Sequence, residues 1–303
     1  MDGKTAQPAW KTLLAFAIIY VVWGSTFLAI RVGVREMPPF LMAALRFLAA
    51  GGFLYGWVVI KGERSPRARE WLSVFVLAML LFVLDYGLLF WAEQRVPSGI
   101  AAVMMGTIPA FMTLSEIAIL RTRRLTLRLT AALLIGLGGV VALTSGAMNL
   151  GGAPIDRAGA VALLIAAVSV GVSAALTRRL PLPASKVMSS GAQMLVGGVL
   201  LTVVAVALGE FRGFDPLAVS TGAWLALLYL VVAGSIVAFT AYVWLLYHES
   251  PTKVGTYAYV NPVIAVLLGY FLGGEALGVR TIVGTLCVLL SVVLITTTRA
   301  AKG

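Results

Sequence analysis

Histidine and cysteine each occur once in this 303-residue chain, as His248 and Cys287. That scarcity excludes an internal disulfide and a metal centre built on those ligands, and His248 follows an apolar run, so it cannot serve a central proton relay. His-Glu-x-x-His, Gly-x-Ser-x-Gly and a Walker lysine loop are missing as well. No catalytic residues, no metal and no cofactor are expected. Gly136-Leu137-Gly138-Gly139 has the look of a dinucleotide loop, but it lies inside an apolar run with no strand before it; helix packing through small residues explains it. Charge is scarce too. Charged residues make up 12% of the chain against 60% hydrophobic, and mean hydropathy is +1.00. A soluble domain of that composition has too little polar surface to cover itself.

What is abundant is apolar sequence in pieces of about 20 residues, the length a bilayer demands. Ten such runs are bounded by charge clusters or Pro/Gly turns, at 11–33, 39–60, 71–91, 97–119, 127–145, 157–177, 186–208, 219–246, 252–272 and 279–298. The first is too long for a secretory signal and passes through Trp23-Gly24-Ser25-Thr26 without a clear cleavage site, so it reads as a mature helix. With ten crossings, one side of the membrane receives sixteen Lys and Arg residues (Lys4, Lys11, Lys61, Arg64, Arg67, Arg69, Arg121, Arg123, Arg124, Arg128, Arg178, Arg179, Lys186, Lys253, Arg299 and Lys302). The other receives six: Arg31, Arg35, Arg95, Arg157, Arg212 and Arg280. That bias predicts a multi-pass membrane protein with both termini in the cytoplasm. The net charge of +11 sits in short loops at span ends, where topology and anionic headgroups account for it; no nucleic-acid partner is expected.

The second half repeats the first. Pro97 and Pro251 stand 154 residues apart and Pro109 and Pro262 153 apart, and Glu116 with a Gly-rich run to Val140 is followed later by Glu275 and Gly284 through Val293. Trp23-Gly24-Ser25-Thr26 lies over Val170-Gly171-Val172-Ser173, and Arg46 over Gln193. The expected units are 1–148 and 149–303, five spans each, joined by the loop Gly146 to Ile155. Five crossings are an odd number, so the second copy enters from the opposite face, and inverted repeats of this kind are a transporter signature. The fold class is therefore an all-α membrane protein of ten transmembrane helices in two inverted five-helix repeats.

Several features together, Trp23-Gly24-Ser25-Thr26, Arg46-Phe47, Val96-Pro97-Ser98-Gly99, Pro109, Tyr259-Val260-Asn261-Pro262-Val263 and Gly273-Gly274-Glu275, resemble the EamA group of drug/metabolite transporters, near its YedA-type inner-membrane members. The resemblance covers nearly the whole chain. It implies a ten-helix carrier of two EamA repeats, usually an exporter of amino acids, metabolites or toxic organic compounds.

Candidate binding residues follow from what lipid makes expensive. Arg46 lies about seven residues, ~10 Å, below one end of the second span and Asp85 about six, ~9 Å, below the same side of the third. Ionised groups inside spans face the bundle interior and find partners, so the two are expected to pair or to share a zwitterionic ligand. A purely structural ion pair, or Arg46 reaching to headgroups, fits the same residues. Pro109 and Asn261-Pro262 fall near the centres of the fourth and ninth spans. Proline frees the carbonyl four residues back, here those of Met105 and Ala258, and broken backbone at that depth lines a cavity or packs on protein. Trp23, Thr26, Met104, Thr107, Ser169, Gln193, Tyr242, Tyr257 and Tyr259 complete the pool around these kinks, although packing uses the same residue types. Glu116, near Arg121 and Arg124, reads as an interfacial ion pair.

A small-molecule substrate and the bilayer are the expected partners. Amino-acid or metabolite export by alternating access is the leading expectation; multidrug or organic-cation efflux, or a passive channel, is the alternative. Proton coupling through Asp85 stays open, as does the choice between monomer and a homodimer joined through the small-residue faces of the fifth and tenth spans.

Overall fold

The computed structural model describes residues 8–122, 124–144, 155–249 and 251–297. All regular structure among them is helical. Its helices are α1 (Ala9–Gly33), α2 (Pro39–Ile60), α3 (Ala68–Glu93), α4 (Ser98–Leu120), α5 (Leu127–Thr144), α6 (Arg157–Thr177), α7 (Lys186–Ala207), α8 (Thr221–Leu246), α9 in two pieces (Pro251–Val254 and Tyr257–Phe271) and α10 (Val279–Thr297). Lipid offers the backbone no partners, so each apolar run satisfies its own amides by coiling. The ends are set locally: Asp156 and Ser185 accept the third amides of α6 and α7, at 2.7 and 3.2 Å, and Pro39 opens α2. Large apolar side chains such as Leu13, Phe53, Leu134, Val203 and Phe271 lie more than half exposed on the outside, a belt that water would penalise and acyl chains accept. The expected joint lies, Ile155 apart, outside the described residues.

Packing follows a pseudo-two-fold axis. α2 packs on α7 and α5 on α10, each pair self-related, while α1 on α9 is matched by α6 on α4, and α1 on α8 by α6 on α3. Individual contacts obey the same operator. A side chain added at Gly24 would strike Ile264, and one at Gly171 would strike Phe111, with the helices paired in reverse order. Gly51 sits against the backbone of Leu195, and its repeat mate Gly198 against the backbone of Leu48. Thr26 and Ser173 each return their hydroxyl to a carbonyl three residues back, those of Trp23 (2.7 Å) and Val170 (2.9 Å).

The small-residue faces of α5 and α10 meet each other within the chain, where Gly136 abuts Ser291 and Gly139 abuts Cys287 and Gly284. One expectation is corrected: the break in α9 is not at its proline. Pro262 stays inside the continuous piece Tyr257–Phe271, and the helix is interrupted earlier, at Gly255–Thr256. In α4 the break falls at Gly106–Thr107, and Pro109 is the second residue of the piece that starts at Ile108, in the first turn, where its missing amide costs nothing.

Candidate functional site

A chamber of about 320 Å³ lies between the halves. α1 contributes Trp23 and Thr26, α2 Arg46, α3 Asp85, α7 Gln193, α8 Gly234, Ser235 and Tyr242, and α9 Tyr257 and Asn261. A second chamber of about 400 Å³ shares Phe27, Met105, Ile108, Tyr242, Tyr257 and Asn261 with it, adds Pro109, and runs past Glu116 and Val254 to Thr296. Those last residues sit at the face where α1 begins and α10 ends, the terminal face. The path through both chambers therefore opens on the terminal face and stops short of the opposite, far face.

Two π-helical stretches shape the inner chamber: Met79–Gly87 in α3 and Leu230–Val237 in α8. They occupy corresponding places in the two repeats, and each widened turn re-aims side chains and loosens the carbonyl ladder. Asp85 belongs to the first and Ser235 to the second. The Trp23 indole donates to the Gly234 carbonyl of the widened turn at 3.1 Å. Around that indole, Tyr242 lies 5.3 Å and Tyr257 5.1 Å away between ring centroids, so three aromatic rings form the wall where the chambers meet.

Arg46 is 2% exposed and its Nε donates to Ser235 Oγ at 2.8 Å. Its guanidinium lies over Phe47, Tyr86 and Phe90, with centroids at 4.9, 5.2 and 6.0 Å; ring faces partly replace the water that a buried cation loses. Nη1 is left with no hydrogen-bond partner, and so is Asp85 Oδ1. The expected direct pair is thus corrected, because Arg46 turns to Ser235 and the rings. The two charges share the chamber, each with an unused bonding position. Gln193 donates to Ser189 Oγ at 2.9 Å, one turn back in its own helix. Asn261 has its amide nitrogen placed to donate to the carbonyls of Tyr257 (3.2 Å) and Tyr20 (3.3 Å).

Four expected residues do not line either chamber. Met104 is fully buried in packing. Thr107 and Ser169 give their hydroxyls to Met104 and Ala166 carbonyls, at 2.6 and 2.7 Å. Tyr259 faces α10, where its hydroxyl meets Thr296. Glu116 makes an interfacial ion pair with Arg178, at 3.3 Å, and His248 stacks on Trp244 at the terminal-face end of α8. Sequence reasoning missed Ser235, Tyr86 and Phe239. Overlaying the third span on the eighth as well as the other pairs exposes the first of these, since Ser235 stands 150 residues after Asp85.

The far face is closed by carboxylates on borrowed helix starts. Glu36 accepts from the Ser220 amide and hydroxyl at the head of α8, both at 2.7 Å. Glu210 accepts from the Leu41 and Phe40 amides of α2 (2.7 and 3.4 Å), and Glu275 from the Ser98 amide, the Ser98 hydroxyl and the Gly99 amide of α4 (2.6, 2.7 and 2.9 Å). Each joins an anion to the positive end of a helix. The Ser220 amide, then its hydroxyl, holds the Glu36 carboxyl below the usual range, whereas burial pushes Glu210 up against the pull of its two amides.

In comparisons with known proteins, the EamA-like transporter family matches residues 10–145 and 157–297. The chain is 38% identical over 298 residues to the uncharacterized inner membrane transporter YedA of Escherichia coli (strain K12), covering 98% of this chain and 93% of that one. It is 26% identical over 276 residues to Protein PecM of Dickeya dadantii, covering 90% and 88%. A solved crystal structure superposes with a TM-score of 0.59 at 21% identity over 95% of this chain and 96% of the other, which shows the fold alone.

Proposed function

We propose that this chain, which belongs to the EamA-like transporter family, is a secondary carrier that exports amino acids or related small zwitterionic metabolites by alternating access. The single observation carrying the substrate reading is that Arg46 and Asp85 line one chamber and that each carries a buried polar atom, Nη1 and Oδ1, without a hydrogen-bond partner. A buried polar group with no partner costs free energy. A solute with a carboxylate for Arg46 and an ammonium for Asp85 and the Trp23, Tyr242 and Tyr257 ring faces recovers that cost. The halves 1–148 and 149–303 are assigned as the rocking units, and the excess of Lys and Arg on the terminal face supports assigning that face to the cytoplasm. On this assignment the chambers stand open to the cytoplasm, the loading side for an exporter.

Counterflow in proteoliposomes against a panel of amino acids, sugars and organic cations, at two pH values, tests the reading. Exchange of amino acids that fails with Arg46→Gln is the expected result. Organic cations moving in their place, with Asp85 required and Arg46 dispensable, identify the efflux alternative, which the aromatic wall also supports. No movement of any solute overturns the carrier.

A further inference from the structure

Glu93, the last residue of α3, is fully buried, and neither of its carboxylate oxygens has a hydrogen-bond partner. It plays no part in the chambers. The cation acting on it, Arg31 of α1, donates Nη1 to the backbone carbonyl of Glu93 and leaves its own Nε unpartnered. Glu275, from the α9–α10 loop, is the other charged group acting on Glu93, and its oxygens already take the donors at the head of α4. Two carboxylates thus share one corner of the closed far face, and only one has donors to hold a negative charge.

The remaining charged groups are engaged elsewhere or turned out. Arg35 of the α1–α2 loop is exposed, and Arg95 lies over the Trp91 ring at 4.0 Å. At the head of α6, Asp156 accepts from Gly159 and Arg157 is exposed. From α2 the charged side chain is Arg46, which is engaged with Ser235 and the rings. A fully buried anion with no donor is far more expensive than the same carboxyl carrying a proton.

We propose that Glu93 is a proton-binding site of the far-face gate: it takes up one proton from the extracytoplasmic solution as the gate closes, and returns it to that side as the gate opens. The chambers reach from the terminal face and do not include Glu93, so the proton is exchanged on the far side only. Extracytoplasmic pH then sets how often the gate opens, with acid holding it shut, and no proton crosses the membrane with the solute. The inference rests on the alternating-access reading for its direction of motion.

The test uses the full chain in proteoliposomes, with Cys287 replaced by Ala and a single cysteine at Leu89, which lines the inner chamber towards the far face. A membrane-impermeant maleimide on the far side labels that cysteine at a series of far-side pH values, and each rate is divided by the rate in the Glu93→Gln background, which removes the thiol's own pH response. The expected ratio rises several-fold with pH, and Glu93→Asp keeps a rise. A ratio flat across the series overturns the proposal. Glu93→Met supplies a second neutral side chain should the glutamine variant not accumulate. Infrared difference spectra of wild type minus variant are expected to show a protonated-carboxyl stretch, and its absence also overturns the proposal. Counterflow in the same vesicles separates the two readings: solute exchange with a flat ratio defeats the gate proton alone, while a rising ratio without any exchange defeats the carrier.

Discussion

At the scale of the residue, Arg46 and Asp85 were legible because ionised side chains inside apolar runs are rare and costly. Their lack of mutual bonding was not, since it depends on a hydroxyl at Ser235, 189 residues away in sequence. Thr107 and Ser169 show the converse. Their type suits a polar pocket, yet each hydroxyl is absorbed by a carbonyl one turn back, a choice that composition does not record. If Arg46 holds a carboxylate, Arg46→Gln raises the half-saturation for amino-acid exchange about 10- to 100-fold, the equivalent of ~1.5–3 kcal/mol for a hydrogen bond to a charged group, and Arg46→Lys recovers part of it. Half-saturation in counterflow reads this directly. Glu36 gives a prediction in pH. Its carboxyl is held below the usual range by Ser220, so its contribution to stability is fully present above the ordinary carboxylate value and is lost as pH falls through the lowered one. Melting of the detergent-solubilised protein is expected to show wild type more stable than Glu36→Gln near neutrality, with the gap closing only in acid below the usual carboxylate range.

At the scale of the element, ten spans were legible with ends within a few residues, because bilayer thickness imposes run length. The widened turns were not. A π-helical stretch such as Leu230–Val237 changes one hydrogen-bond step and leaves the apolar run intact, so hydropathy passes over it. The α9 break was misplaced because Pro262 announces itself in sequence whereas Gly255–Thr256 does not. Close approach between α2 and α7 depends on glycine: a Cβ at Gly198 meets the Leu48 backbone amide nitrogen at 2.7 Å, and one at Gly52 meets nothing within 4 Å. Gly198→Ala is expected to lower stability by ~1–3 kcal/mol as overpacking does, with Gly52→Ala near neutral, measured by thermal unfolding side by side. The repeats also differ where α4 and α9 end. Gly274 adopts φ +65, and Arg121, 153 residues earlier, adopts φ 57 without being glycine. A left-handed conformation costs a side-chain-bearing residue about 1–2 kcal/mol, so Arg121→Gly is predicted to raise the melting temperature.

At the scale of the whole molecule, the inverted architecture followed from an odd number of spans per repeat, and the paired contacts of Gly24 with Ile264 and Gly171 with Phe111 carry it into packing. The symmetry governs helix contacts but not the two faces. Carboxylates from other loops hold the heads of α2, α4 and α8 on the far side, whereas on the terminal face α3, α5 and α7 are capped from within, by Glu70, Thr126 and Ser185. Alternating access requires the far-side latches to part. A disulfide between cysteines at Glu36 and Ser220, in a chain with Cys287 replaced, is therefore expected to abolish counterflow and reduction to restore it; undiminished exchange in the oxidised protein counts against rocking about this face.

In the carrier proposed above, those borrowed caps also make the empty protein lopsided in time. A carrier whose unloaded form spends most of its life latched on one side waits at the other, so the same solute meets a ready site from the cytoplasm and a rarely presented one from outside. At equal concentrations net flow is still zero, as thermodynamics demands, yet the two directions saturate differently, with the lower half-saturation facing the cytoplasm. If the chain is the exporter proposed above, the far-face carboxylates act as a kinetic rectifier: a cell containing it clears a solute at low internal levels while admitting little of it from a transient surge outside.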